Sequence, residues 1–280
     1  MAKPKYLVGI DLGTTNIVVT HTPISSASEG AHPEISLMPI VQELAKGAIE
    51  KLEVMPSFIF ERLKEKPVLE WDDESKFIIG DYARERGADV PDRLISSAKS
   101  WLCNTRIDRT QPVLPWNSPE ENSKVSPLTA MSMFLRHVRH AWNEEFGKDK
   151  LEDQKVVVTI PASFDAAARD LIVEAARMAE LPDVTLLEEP QAAFYSWISQ
   201  GDKPWRQQVK KGDVVLVVDV GGGTTDFSLI EISEAEGDLA LERVAVGNHI
   251  LLGGDNMDLT LAYVARSKLE ESKKKITQWQ

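Results

Sequence analysis

Two stretches of this chain carry the same order of chemistry: an acid on the end of an apolar strand, a glycine and threonine turn, then a second strand. They are Gly9-Ile10-Asp11-Leu12-Gly13-Thr14-Thr15-Asn16 and Val218-Asp219-Val220-Gly221-Gly222-Gly223-Thr224-Thr225-Asp226. Glycine at a hairpin tip lets the main chain turn tightly and present successive N–H groups as an anion-binding concavity, and threonine hydroxyls add donors. The aspartate ahead of each tip repels phosphate, so its natural partner is a divalent cation that bridges carboxylate and phosphates through water. Two such tips facing each other clamp one nucleotide. A single Gly/Thr hairpin is commonly only a turn, because Gly and Asp favour turns for local backbone reasons. The repetition of acid, glycine and paired threonines in one order is what points to a site.

The chain has 280 residues, enough for a large core and for more than one domain. A formal net charge of -12 argues against nonspecific binding to nucleic acid or to an anionic membrane. It does not forbid a phosphate ligand, since backbone N–H groups and a metal supply a local positive field. The single cysteine, Cys103, permits no internal disulfide, fits a reducing compartment and reads as a small buried hydrophobe. No secretory apolar region follows Met1, and no apolar run is long enough to span a bilayer, so the expected location is cytoplasmic.

The elements that must position these residues follow from pattern. Tyr6 to Asp11 is a continuous apolar run of the kind a fully buried strand shows, with Ile17 to Thr20 as its return strand. Residues 25–36 read as loop, and Met38 to Leu52 as a helix. Val54 to Phe60 and Phe77 to Gly80 read as short strands, followed by a helix over Asp81 to Arg86. Pro127 to Phe146 has helical spacing and stops at Gly147. Lys155 to Pro161 reads as a buried strand, and Ala166 to Glu180 as a helix capped by Ser163 or Asp165, with Leu171, Ala175, Met178 and Ala179 on one face. Thr185 to Glu189 is a further strand, and Pro190 starts a helix where a missing N–H costs least. After a polar linker to Gly212, the second hairpin opens at Val214, with a strand at Leu239 to Val246 and a helix from Met257 to Glu271. The alternation of strands and helices gives an α/β fold. The second repeat of the pattern stops half way, so a fragment cut within its second lobe is expected.

Taken in order, Gly9 to Thr15, Ile79-Gly80-Asp81, Val158 to Phe164 with Arg169, Glu188-Glu189-Pro190-Gln191-Ala192-Ala193, Asp219 to Asp226 and Leu252 to Asp258 resemble the nucleotide-binding domain of the heat-shock-70 (DnaK-like) chaperones. The motifs run from one end of the chain to the other. The resemblance implies the actin-like ATPase (ribonuclease H-like) architecture, with a complete lobe one and a truncated lobe two. Lobe one would comprise a core at 1–35 and 112–212 with an inserted subdomain at 36–111, and residues 213–280 would begin lobe two.

Carried onto these positions, the resemblance implies that Asp11 and Asp219 hold a hydrated Mg2+. Thr14, Thr15 and the neighbouring Gly13 and Asn16, with the Gly221, Gly222, Gly223, Thr224, Thr225 turn, would cradle the phosphates of ATP or ADP. Glu189 would sit near metal and attacking water, and Asp226 would orient that water. Gly253 and Gly254 would let the main chain approach the nucleotide closely. The reaction implied is phosphoryl transfer to water, in which positioning and charge neutralisation do most of the work. Arg84 stands where the family usually carries a catalytic lysine, and a planar fork does not seat water and phosphate as a compact ammonium does. Asn16 stands where an aromatic is common. The family's adenosine-gripping segments would lie beyond residue 280, so weak nucleotide binding is expected. Implied partners are unfolded client proteins and co-chaperones, in a stress-response role.

The same architecture also serves sugar kinases, filament-forming proteins and non-hydrolysing binding modules. No sugar-kinase signature occurs between residues 60 and 160, and Leu252 to Asp258 fits a chaperone better than a filament. His137 and His140 share a helix without a third ligand nearby, so a metal site there is not expected. The seven tryptophans read as packing residues, with Trp116 and Trp205 exposed, and the Lys210-Lys211 and Lys273-Lys274-Lys275 clusters as solvated faces.

Overall fold

Strand β1 (Tyr6–Leu12) turns into β2 (Asn16–Pro23), and β3 (Ser36–Leu37), β4 (Ile40–Glu43), β5 (Ile49–Leu52), β6 (Met55–Pro56), β7 (Ile59–Glu61) and β8 (Phe77–Ile79) follow in the chain. Helix α1 (Asp81–Asp89), β9 (Leu94–Ile95) and the short α2 (Ala98–Trp101) precede α3 (Pro127–Phe146), β10 (Lys155–Ile160), α4 (Ala166–Met178), β11 (Val184–Glu188) and α5 (Glu189–Gln200). The hairpin β12 (Val214–Val220) and β13 (Thr225–Ala235), then β14 (Asp238–Val246) and α6 (Gly254–Glu271) complete the order. This computed structural model describes residues 3–26, 33–64, 66–72, 76–116, 118–119, 123–200, 208–235, 238–247 and 250–271. Trp205, Trp279 and the Lys273-Lys274-Lys275 cluster lie outside them.

The main sheet has the order β11-β10-β1-β2-β3, with β6 also on β2. Its β1, β10 and β11 are parallel, while β1 and β2 form an antiparallel hairpin. Parallel neighbours need a crossover, and α4 supplies it between β10 and β11. Helix α3 starts at Ser126, whose hydroxyl accepts the Thr129 N–H at 2.9 Å, and ends at Gly147 with φ 56°. Both ends are those the sequence marks. The core buries Val8, Ile10 and Leu12 of β1 with Phe134, Leu135, Val138 and Trp142 of α3 and Ile172 and Ala175 of α4. On α4 the buried row is Ala168, Ile172, Ala175 and Ala176, whereas Leu171 is only partly buried and Met178 is exposed. Ala175 and Ala179 are thus buried as expected, while Ala168, Ile172 and Ala176 lie inward in place of Leu171 and Met178.

Two expectations are corrected. Burial along β1 alternates instead of being continuous: Leu7 and Asp11 are exposed while Val8, Ile10 and Leu12 are buried, so this strand has an open face. Residues 38–52 form no α-helix but the hairpin of β4 and β5, with a single 3-10 turn at Ala45–Gly47 between them. Every residue of β4 is buried, and its polar members are tied down. Gln42 donates to the Val54 carbonyl at 3.0 Å and accepts the Asp81 N–H at 3.1 Å, and the Glu43 carboxylate takes a two-pronged bond from Arg62. Those partners are remote in sequence, so a helical period could not foretell them.

The second sheet, β12-β13-β14, is antiparallel. One face rests on α5, where Phe194 packs with Ile230 and Ile232. The outer row of β12, Val214, Leu216, Val218 and Val220, is exposed. Helix α5 touches β10 and β11 of the first sheet and β12 of the second. Glu188 at the end of β11 receives Arg169 at 2.6 Å and also Arg243 of β14, which donates to the Ala162 carbonyl at 3.2 Å. The two sheets are therefore fastened at one end of α5.

His137 is buried in α3, with Nε2 2.8 Å from the Val41 carbonyl and an edge-to-face contact with Trp71, which stacks on His140. A carbonyl only accepts, so Nε2 carries the proton of a neutral ring. Burial lowers its pKa to about 4, against the weaker pull of that hydrogen bond. Among the described residues no cluster of His, Cys, Asp or Glu is arranged to hold a metal. A folded-state pKa below the unfolded value of about 6.5 means that the unfolded chain binds the proton more readily. The stability held by neutral His137 is expected to be complete above about pH 6.5 and to fall by about 3 kcal/mol as pH drops to about 4. Denaturant midpoints across that range check it, and a His137→Gln variant showing the same slope would count against the assignment.

Candidate functional site

The period of two along a strand decides which side chains reach the cleft. The face of β1 opposite the core carries Gly9 and Asp11, and β10 sends Val156, Val158 and Ile160 inward but Thr159 to that same open face. Thr159 Oγ1 donates to Asp11 Oδ1 at 2.7 Å, which fixes the carboxylate.

Each tip is braced from outside its own hairpin. Gly13 must lack a side chain, since a Cβ there would lie 2.3 Å from the Asn16 carbonyl oxygen. Ser57 donates its hydroxyl to the Gly13 carbonyl and its N–H to the Thr15 carbonyl, both at 2.8 Å. In the second tip the Gly221 N–H bonds the Thr224 carbonyl at 2.9 Å. The start of α6 holds that tip: Gly254 N–H reaches the Gly221 carbonyl at 3.0 Å and Asp255 N–H the Gly222 carbonyl at 2.8 Å. Thr225 Oγ1 donates to the Leu252 carbonyl at 2.8 Å.

The tips meet. A Cβ on Gly222 would fall 1.7 Å from Thr15 Oγ1, and one on Gly223 would fall 2.8 Å from Thr14 Cγ2. Beside the contact lies a cavity of about 610 Å³, bounded by Asp11, Gly13, Thr14, Thr15 and Asn16 on one side and by Asp219, Gly221, Gly222 and Thr224 on the other. Glu189, the first residue of α5, and Lys99 of α2 also line it, with Thr159 and Pro161 and with Ala192, Ala193 and Ser196 of α5. Lys99 is buried, with Nζ 2.5 Å from Glu189 Oε1. A depression of about 670 Å³ near Arg109 and Asp170 is larger, but no comparable set of acids and glycine turns converges on it.

Burial raises the Glu189 pKa, the Lys99 ammonium opposes that, and Asp11 and Asp219 push it up further. Asp219 is raised by burial and by the Asp226 carboxylate across the hairpin, with Lys99 again opposing. An acidic wall of this kind attracts a cation. Asp11 and Asp219 could offer hard oxygen ligands, too few for an all-protein cage, and a hydrated Mg2+ would suit such a pair.

Not every residue implied by the resemblance lines the cavity. Arg84 is exposed and paired with Asp81 at 2.5 Å. Ala83 and Gly87, four apart, are the buried residues of α1, so Arg84 falls off that face. Gly223 packs on Thr14, and Thr225 and Gly254 bond within the second tip. Gly253 makes its close approach to the Gly221 and Gly222 carbonyls of its own chain, 2.5 Å from a Cβ built there. Asp226 is buried beside Asp219 and acts on that carboxylate. Sequence reasoning missed Lys99, Thr159 and Ser57. The one signal for Lys99 was a lysine set among Ile95, Ala98 and Leu102, all of which are buried.

Residues 74–278 match the Hsp70 protein family. The chain is 31% identical over 258 residues to the chaperone protein DnaK of Mycoplasmopsis agalactiae, covering 92% of this chain and 34% of that protein. It is 30% identical over 278 residues to a chaperone protein HscA homolog of Mannheimia succiniciproducens, covering 94% of this chain and 38% of the other. An HscA homolog of Aliivibrio fischeri is 30% identical over 271 residues, with coverages of 92% and 37%. The chain thus spans little more than a third of the length of these curated relatives.

The tip contact has a direct test in Gly222→Ala. Rotating Thr15 does not relieve the clash, because its Cβ lies 2.7 Å from the new methyl. The hairpins are expected to part, at a cost of about 1–3 kcal/mol. Denaturation midpoints and amide exchange at both tips measure this, and an unchanged midpoint with unchanged protection would mean that the tips do not hold each other.

Proposed function

We propose that this chain, which belongs to the Hsp70 family and has that family's actin-like ATPase fold, binds Mg-ATP in the cleft between its hairpin tips and hydrolyses it slowly. The reading extends to a role as the nucleotide-binding part of an ATP-dependent protein-folding chaperone. Two of the relatives are named chaperone protein HscA homologs and one chaperone protein DnaK, which supports clients and co-chaperones as partners of the longer protein. No helix among the described residues is long and apolar enough to cross a membrane. A division into a lobe one core at 1–35 and 112–212, an inserted subdomain at 36–111 and a second lobe from 213 belongs to the same proposal.

The observation that carries it is the meeting of two glycine tips beside an acidic cavity, Gly222 against Thr15, with Asp11, Asp219 and Glu189 around the space. Backbone N–H groups and the hydroxyls of Thr14, Thr15 and Thr224 would take the phosphate oxygens. Asp11, held by Thr159, and Asp219 would hold Mg2+, whose charge would offset that of the phosphates. Glu189, its affinity for protons raised by burial, suits acceptance of a proton from the attacking water. The buried Asp226 would act through Asp219, whose affinity for protons its charge raises, instead of touching water.

Calorimetric titration with Mg-ATP, with and without a chelator, tests the reading; binding that ignores magnesium, or no binding, would refute it. Asp11→Asn is expected to weaken Mg-ATP binding about 10- to 100-fold, the scale seen when metal-site partners are removed. Its denaturation midpoint should hold or rise, because one of several crowded carboxylates becomes neutral. Equal Mg-ATP affinity in variant and parent would remove Asp11 from the site.

A further inference from the structure

We infer that a second cavity, between α3 and β8, binds a small planar heteroaromatic acid: a ring with an N–H and a carbonyl side by side, carrying a carboxylate. The cavity holds about 370 Å³ and shares no lining residue with the cleft at the hairpin tips. One wall is a single face of α3, where Thr129, Ser132, Met133, Arg136, His137 and His140 recur three and four apart. Phe77 and Ile79, two apart on β8, supply a second wall. Trp71, from the 3-10 turn Glu70–Asp72, supplies a third and stacks on His140 with ring centroids 5.4 Å apart.

Two buried polar atoms of these walls have no hydrogen-bond partner, Trp71 Nε1 and His137 Nδ1. The imidazole of His137 is 2% exposed and gives its Nε2 proton to the Val41 carbonyl, so Nδ1 is left with a lone pair that asks for a donor. The Trp71 N–H asks for an acceptor, and the two rings lie 5.8 Å apart. A polar group buried without a partner is held at a cost, which a ligand that pairs it recovers. A ring amide offers the missing donor and acceptor on neighbouring atoms, so one group satisfies both. Water could bridge them too, but Val125, Met133, Phe77, Ile79 and Met178 make the rest of the lining apolar, which favours a flat ring. Among the described lining residues the fixed charges are Lys76 and Arg136, both exposed and both positive. On a chain of net charge -12 that pair sets the sign of the ligand's outer group.

Orotate is the probe, since it joins a ring N–H, ring carbonyls and a carboxylate in one plane; uracil lacks the carboxylate and benzoate the ring amide. Calorimetric titration of the whole chain is expected to rank orotate above both. Trp71→Phe keeps a ring but removes the N–H, and it should weaken orotate about 2- to 10-fold, the scale of one hydrogen bond, while leaving benzoate unchanged. Lys76→Met with Arg136→Met alters exposed positions only, so the fold is kept, and it should bring orotate down to the affinity of uracil. No saturable orotate binding at millimolar concentration would overturn the inference. So would equal orotate affinity in Trp71→Phe and the parent, or uracil binding the parent as tightly as orotate.

Discussion

The contact between the two hairpin tips is the constraint on which the site depends. Thr14 and Thr15 lie where side chains on Gly222 and Gly223 would have to be, so the second tip must be bare backbone for the hairpins to meet. Glycine here serves close approach more than freedom of rotation. The tips do not rely on each other alone. Ser57 fixes the first from the β6 side, and the opening residues of α6 fix the second by donating to its carbonyls. Those bonds occupy the carbonyls of Gly221 and Gly222.

Electrostatics then decides what the cavity accepts. Asp11, Glu189 and Asp219 line it, Asp226 lies buried behind, and Lys99 alone among the described lining residues opposes them. Burial and mutual repulsion raise the pKa of Glu189 and of Asp219, so the ionised cluster is held at an energetic cost. A free polyphosphate would meet repulsion here, whereas one that arrives with a divalent cation brings the missing charge. The net charge of -12 on the whole chain acts in the same direction, disfavouring bare polyanions at a distance.

What the sequence made legible was whatever is local. Both hairpins, the span of α3 between Ser126 and Gly147, and the strand, helix, strand run from β10 to β11 follow from apolar period, caps and turn residues. The tips were legible because their chemistry is written in consecutive residues. The β4 and β5 hairpin was not, because Gln42, Glu43 and the strand between them are stabilised by Val54, Asp81 and Arg62. Lys99 was overlooked for the same reason: its meaning comes from Glu189, a residue on another helix brought beside it by the fold. Arg84 drew attention as the nearest cation to a recognisable triplet, yet the buried face of α1 runs through Ala83 and Gly87 and leaves it at the surface.

The way the two sheets are joined bears on how such a site would respond to its ligand. They meet at the tips, along α5, and where Arg243 of β14 reaches Glu188 and the Ala162 carbonyl. Glu188 and Glu189 are adjacent, so the residue that clasps the second sheet and the residue that holds Lys99 share one short link between β11 and α5. A group bound between the tips touches both sheets and that link together. Its affinity must therefore depend on how the sheets are set, and by reciprocity its binding must bias their setting.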